Sequence, residues 1–274
     1  MAALRINLFL FLCVTVLALL WGNPSFSETT ISEQTLTSDI VIKERFQPGS
    51  GLPVGKIQSV RGEAIVFHRD PTVGYRIQIG LPLYAGDILR TRESAWLLCR
   101  LIDGSHIVLA PKTTLTILQS SYNSSRNISV SFLYLEHGGA RFRMNPIPDS
   151  ASHEYKVQTE AAFVLAEEAD FVVKAGPEAT EITAFEKSRL EVTGMAQPDE
   201  VTYLYDFQRT IVAKEIISPT VETLSRETVE AMMAGFHTAP LYTSLAAGTK
   251  NDDRDPKIED TLIEEDIAEP ELSE

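Results

Sequence analysis

The sequence predicts an all-β protein, a short-strand β-sandwich or β-solenoid-like domain followed by one C-terminal amphipathic helix and a disordered acidic tail. Three observations predict it. Short apolar runs rich in β-branched and aromatic residues recur from about Val54 to Thr193. Gly, Pro and Asp punctuate those runs as turn residues do. No helical period long enough for a βαβ crossover lies between them.

The chain has 274 residues, 44% hydrophobic and 23% charged, which suits one or two globular domains with a real core. Its first residues have the pattern of an export signal. Arg5 supplies a positive start, and Leu8 to Leu20 form an apolar run of 13 residues broken only by Thr15. That length fits a signal-peptide core and falls short of the roughly 20 residues a membrane-spanning helix needs. Ser25 and Ser27 occupy the small-residue positions before a cut at Glu28, so residues 1–27 are expected to be removed, with an uncleaved anchor as the alternative. The mature chain is then periplasmic or secreted and has no membrane span.

Charge narrows the partners further. The whole chain carries −14, and residues 250–274 alone hold 11 acidic against 3 basic side chains. Nucleic acid and anionic membrane surfaces are therefore poor partners, and no nucleic acid is expected to bind. Without its leader the chain keeps one cysteine, Cys99, inside the apolar run Trp96–Ile102, so a buried structural thiol is expected and no internal disulfide can form.

Residues 28–53 are polar and end in Gln47-Pro48-Gly49-Ser50-Gly51, the composition of a linker. The main β domain is expected over 54–194. Its first strands fall near Lys56–Val60, Ala64–His68, Arg76–Ile79, Asp87–Thr91, Ala95–Ile102 and His106–Ala110. Further strands fall near Thr114–Gln119, Ile128–Glu136, Ala140–Met144, Tyr155–Thr159, Phe163–Ala166, Phe171–Lys174, Glu181–Phe185 and Arg189–Thr193. In Ala95–Ile102 both alternating faces are apolar, which predicts a central strand covered on both sides. In Ile128–Tyr134 small hydroxyls alternate with large apolar groups, the pattern of a strand with one face toward water.

Residues 195–244 form an extension. A polar break at 195–200 precedes two strands, Val201–Phe207 and Thr210–Ile217, and then a helix from Leu224 to Ala234 with Gly235 as its stop. Val229, Met232, Met233 and Phe236 make one apolar stripe on it, suited to packing on its own β domain or to docking a partner. Residues 245–274 lack aromatics and are expected to be disordered.

The densest motifs look like turn hardware. Asp103-Gly104 between two apolar runs is a hairpin signal, and Gly86-Asp87 suits the earlier bend. Taken in order, Gly55-Lys56-Ile57 with Val60-Arg61-Gly62, Gly86-Asp87 with Thr91, Asp103-Gly104-Ser105, and Leu135–Arg141 with Gly138-Gly139 resemble the FecR domain. The resemblance spans about Val54 to Ala175. It implies an extracytoplasmic β-rich module that binds and signals without catalysis; the family's best-known members relay a signal from a loaded outer-membrane transporter to a sigma factor. Two departures stand out. Only Met1 to Asn7 precede the apolar run, too few for a sigma-binding segment, and Glu167-Glu168-Ala169-Asp170 replace the family's Arg-Gly-Thr-like turn before Phe171-Val172.

Catalytic patterns are weak. His68, His106, His137, His153 and His237 lack zinc-ligand spacing, and no nucleophile elbow or phosphate loop occurs. No cofactor, metal or catalytic residue is assigned. His137 beside Gly138-Gly139 reads as a turn residue, and Glu167, Glu168 and Asp170 read as a solvated loop, with a cation site as the alternative. The function expected is binding of an envelope protein, in scaffolding or sensing. A cell-wall glycan module with Tyr75, Tyr84, Tyr122 and Tyr134 as exposed stacking residues is the alternative, and a hydrolase is the least supported.

Overall fold

A computed structural model describes residues 40–68, 70–144, 152–215 and 220–236. The leader, its cleavage position, His237 and the acidic tail lie outside these. Eighteen strands and one helix form among the described residues. The first nine strands are β1 (Val41–Lys43), β2 (Gly55–Arg61), β3 (Ala64–His68), β4 (Val73–Arg76), β5 (Pro82–Leu83), β6 (Asp87–Thr91), β7 (Trp96–Leu101), β8 (His106–Leu109) and β9 (Thr114–Asn123). Next come β10 (Ile128–Arg143), β11 (Ser152–Gln158), β12 (Ala162–Ala166), β13 (Asp170–Ala175) and β14 (Ala179–Ala184). The last are β15 (Leu190–Gly194), β16 (Gln197–Leu204), β17 (Gln208–Ala213), β18 (Val221–Thr223) and the helix α1 (Arg226–Phe236).

Successive hairpins alternate between two stacked sheets. Sheet A runs β1-β4-β3-β6-β9-β10-β11-β12-β15-β16, and sheet B runs β5-β2-β7-β8-β10-β13-β14-β17-β18. Among the described residues only β1–β4 and β10–β11 pair in parallel. The strand β10 belongs to both: its first half pairs with β9 and β11, its second with β8 and β13. Between the sheets lies the main core, to which Leu97, Cys99, Ile107, Leu133, Phe142, Tyr155, Phe171 and Val192 contribute. Burial on this scale is the dominant stabilising term in a fold of long-range strand pairs.

The outer face of sheet B carries a second apolar cluster. Leu98, Val108, Val172 and Phe185 meet Leu224, Val229 and Phe236, with Trp96, Met232 and Met233 packed alongside. Trp96 and Phe236 stack edge to face at 5.7 Å. The apolar stripe of α1 therefore closes on its own β domain. It also covers the outer face of β7 at Trp96 and Leu98, as the sequence predicts, whereas Arg100 and Ile102 farther along that face are exposed.

Several boundaries differ from expectation. The segment expected to be a linker contains β1, and Phe46 packs against the core, so the sheets begin at Val41. The strand expected at Arg76–Ile79 is β4, ending at Arg76, and β16 starts inside the expected break, at Gln197. Strand pairing also continues across the expected boundary at Gly194, through β15–β16 and β14–β17. Gly235 lies within α1 instead of stopping it. The strands expected at Ile128–Glu136 and Ala140–Met144 are the single strand β10, because Gly138 bends the chain without ending it.

Candidate functional site

The motif residues sit at the corners where the chain changes sheet. Gly86 and Gly104 adopt positive φ, 89° and 87°, as bends require. Asp103 does not share that backbone role; it works through its carboxylate. Ser105 N–H donates to Oδ1 at 2.9 Å and Ser129 Oγ donates to Oδ2 at 2.9 Å, with His153 Nε2 3.4 Å away. Burial alone would raise the Asp103 carboxyl, but hydrogen bonds from His153, Ser105 and Ser129 outweigh it and hold it below the usual carboxylate range.

Asp87 makes the equivalent corner before β6. Tyr84 N–H donates to its Oδ2 at 2.8 Å, and His68 Nδ1 lies 2.6 Å from Oδ1. Burial raises the Asp87 carboxyl against the opposing pull of His68 and Tyr84. The His68 ring is itself enclosed by Phe46, Tyr75 and Tyr84, at 5.2, 5.4 and 5.7 Å. Both His–Asp pairs are thus folded into the walls of the stack.

Thr91 and Gly139 belong to a third corner. Thr91 Oγ1 donates to Ala110 O at 2.6 Å and accepts from Thr113 N–H at 2.9 Å. Thr113 Oγ1 in turn accepts from Gly139 N–H at 3.0 Å. Gly138 has φ 94°, and a Cβ there would meet Thr113 Oγ1 and come within 2.6 Å of Lys112 O and of Thr113 Cα. Only glycine fits this bend. His137 lies inside β10 at a register shift, not in a turn, and is exposed.

The acidic residues before β13 do not act together. Asp170 makes a bidentate pair with the buried Arg141, 2.8 Å from Nε to Oδ1 and 2.6 Å from Nη2 to Oδ2. Glu167 and Glu168 instead rim an open depression with Lys187, Ser188, Arg189 and Asp206. Among the described residues no group of three or more His, Cys, Asp or Glu is placed to hold a metal ion.

The surface feature that the sequence left hidden is the outer face of sheet A. In β10 the small hydroxyls point inward: Ser129 and Ser131 are fully buried beside Asp103, His153 and Tyr155, and Ser131 Oγ lies 3.2 Å from Ser120 Oγ. The large residues Val130, Phe132 and Tyr134 point outward and are half-buried. The polarity of this segment is inverted with respect to the usual strand. Strand register extends the outward set into two rows. One reads Tyr134, Gln158, Phe163, Thr193, Val201 and the other Phe132, Lys156, Leu165, Glu191, Tyr203. Phe132 and Phe163 touch edge to face at 6.2 Å across the rows, and Val201 and Tyr203 are 45% and 44% exposed. Among the described residues no helix covers this face, whereas α1 covers part of sheet B.

This geometry also revises the glycan-stacking set. Tyr75 and Tyr84 are each only 6% exposed and pack around His68, so neither presents a ring to solvent; Tyr122 and Tyr134 are half-buried.

The family model described as "FecR protein" matches residues 87–188. Residues 87–188 are a FecR domain. The FecR domain thus opens on Asp87 and takes in Thr91, Asp103, Gly104, Gly138 and Gly139, with Gly86 one residue before it, while β1 to β5 precede it. A search of curated proteins finds no match. Two solved structures of a candidate anti-sigma factor from Parabacteroides distasonis are similar to this chain. They show 19% and 18% identity with TM-scores of 0.41 and 0.42, each over 53% of this chain. The chain covers 64% and 63% of their length.

Proposed function

We propose that this chain is a non-catalytic, exported FecR-type module that binds another protein of the cell envelope, as a scaffold or as a step in sensing. The observation that carries the reading is the inverted polarity of sheet A. Two registered rows face outward in which Phe132, Tyr134, Phe163, Leu165, Val201 and Tyr203 outnumber Lys156, Gln158, Glu191 and Thr193, where a solitary protein would gain by having mostly polar ones. Flat faces that mix aromatic anchors with a few polar groups suit protein partners. Export is supported by the leader pattern, and the buried position of Cys99 is compatible with an oxidising compartment.

Cell fractionation with affinity capture tests this reading. The chain is expected in the envelope fraction with a stable protein partner that Phe163→Asp releases. Recovery from the cytosol, or a partner held equally well by Phe163→Asp, would overturn it. Retention on peptidoglycan or polysaccharide instead would favour the glycan alternative.

A further inference from the structure

We infer that the outer face of sheet A pairs with the same face of a second copy of this chain, about a two-fold axis running along β12. The inference rests on the reading of that face as a protein-binding surface, which a second copy and the envelope partner would occupy in turn. The argument is the symmetry of the two rows. β12 is the middle of the five strands β10, β11, β12, β15 and β16. A two-fold axis parallel to it and lying in the interface reverses the strand order and keeps each row at its own height.

In one row, Phe132 then meets Tyr203 of the second copy, Lys156 meets Glu191, and Leu165 meets Leu165. In the other row, Tyr134 meets Val201, Gln158 meets Thr193, and Phe163 meets Phe163. Apolar groups face apolar groups, the two amide and hydroxyl side chains face each other, and opposite charges coincide. An isologous interface requires this self-complementarity, and an arbitrary surface lacks it. Each row is also uncharged in sum, which matters for a chain of net charge −14, because most of its other surface would repel a second copy. Two sheets stacked this way keep their strands nearly aligned, the usual arrangement of packed β faces. A patch five strands wide spans about 24 Å at about 4.8 Å per strand. A patch of this width lies at the small end of specific interfaces, so the dimer is expected to be reversible.

Sedimentation velocity of the full chain, as isolated from expressing cells, over a concentration series tests the inference. The native chain is expected to show a reversible monomer–dimer equilibrium. Lys156→Glu alone places Glu against Glu191 twice per dimer, and Glu191→Lys alone places Lys against Lys156 twice, so each weakens association by about tenfold or more. An equimolar mixture of the two variants restores both contacts in a heterodimer and returns the affinity to within about threefold of native. Mixing separates the contact between copies from any effect within one copy, including the loss of the Lys156–Glu154 pair at 2.7 Å. Phe163→Asp, which puts two carboxylates on the axis, abolishes the dimer while thermal melting shows the fold retained. A native chain that stays monomeric, a mixture as weak as its components, or a Phe163→Asp dimer would overturn the inference. A monomeric native chain would leave the envelope-partner reading intact, since capture of a different protein tests that separately.

Discussion

Gly138→Ala is the sharpest test of the corner that lets β10 pass from one sheet to the other. Three terms add. A positive φ costs alanine about 1 kcal/mol. The new Cβ would lie 2.6 Å from Lys112 O and from Thr113 Cα, both backbone atoms that cannot swing aside, and such overpacking costs about 1–3 kcal/mol. Displacing Thr113 also weakens its hydrogen bonds with Gly139 N–H at 3.0 Å and Gly139 O at 3.1 Å, about 1 kcal/mol each. The total is about 4–6 kcal/mol, equivalent to a fall in Tm of roughly 8–24 °C for a domain of this size. Gly51→Ala is the matched control. Gly51 has the same φ, 94°, yet nothing lies within 4 Å of its would-be Cβ, so only the conformational term of about 1 kcal/mol applies. Urea denaturation followed by circular dichroism measures both variants. If Gly138→Ala costs no more than Gly51→Ala, the close approach at this corner is refuted.

Other consequences follow from buried groups. Burial, with repulsion from Arg143 and Arg100, lowers the His106 imidazole to about 4, so between about pH 6.5 and 4 the unfolded chain binds the extra proton. His106 therefore contributes stability that is complete above about pH 6.5 and lost as pH falls toward 4, about 1–2 kcal/mol after allowance for its partial exposure. His106→Asn should flatten the urea midpoint across that range, and an unchanged slope would contradict the assignment. Arg141→Met leaves Asp170 without its bidentate partner and should cost about 3 kcal/mol in the same assay, whereas a loss below about 1 kcal/mol would mean the pair contributes little. Burial pushes the Cys99 thiol up, so a thiol reagent should fail to label it in the folded chain and label it fully in urea; rapid native labelling would show the core open there.

The strands that lie mid-sheet were legible because period and turn residues agree, as at Ala64–His68 and Asp87–Thr91, which fall where the sequence puts them. The two- and three-residue strands β1, β5 and β18 were not, because each has too few residues to show a period, and β1 and β5 are also defined by distant partners, β4 and β2. Gly138-Gly139 looks like a turn in sequence and is a bend inside one long strand, since the sequence carries the φ preference but not the path that follows. Asp87 and Asp103 were visible as turn residues, but their histidine partners lie 19 and 50 positions away and no local pattern links them. The alternation of Ile128–Tyr134 was plain, yet period alone cannot tell which set faces inward. Inward-facing Ser129 donates to Asp103 at the β7–β8 corner, and Ser131 on the same face meets Ser120. That choice turns Phe132 and Tyr134 outward and creates the candidate site.

Site-specific photocrosslinking in intact cells tests the central claim most directly. A photoreactive amino acid is placed at Phe132, Phe163 or Tyr203 on sheet A, and at Ile211, which is 51% exposed on sheet B, for comparison. Crosslinks to protein from the three sheet A positions and none from Ile211 are predicted. Crosslinks from Ile211 with none from sheet A would contradict the account.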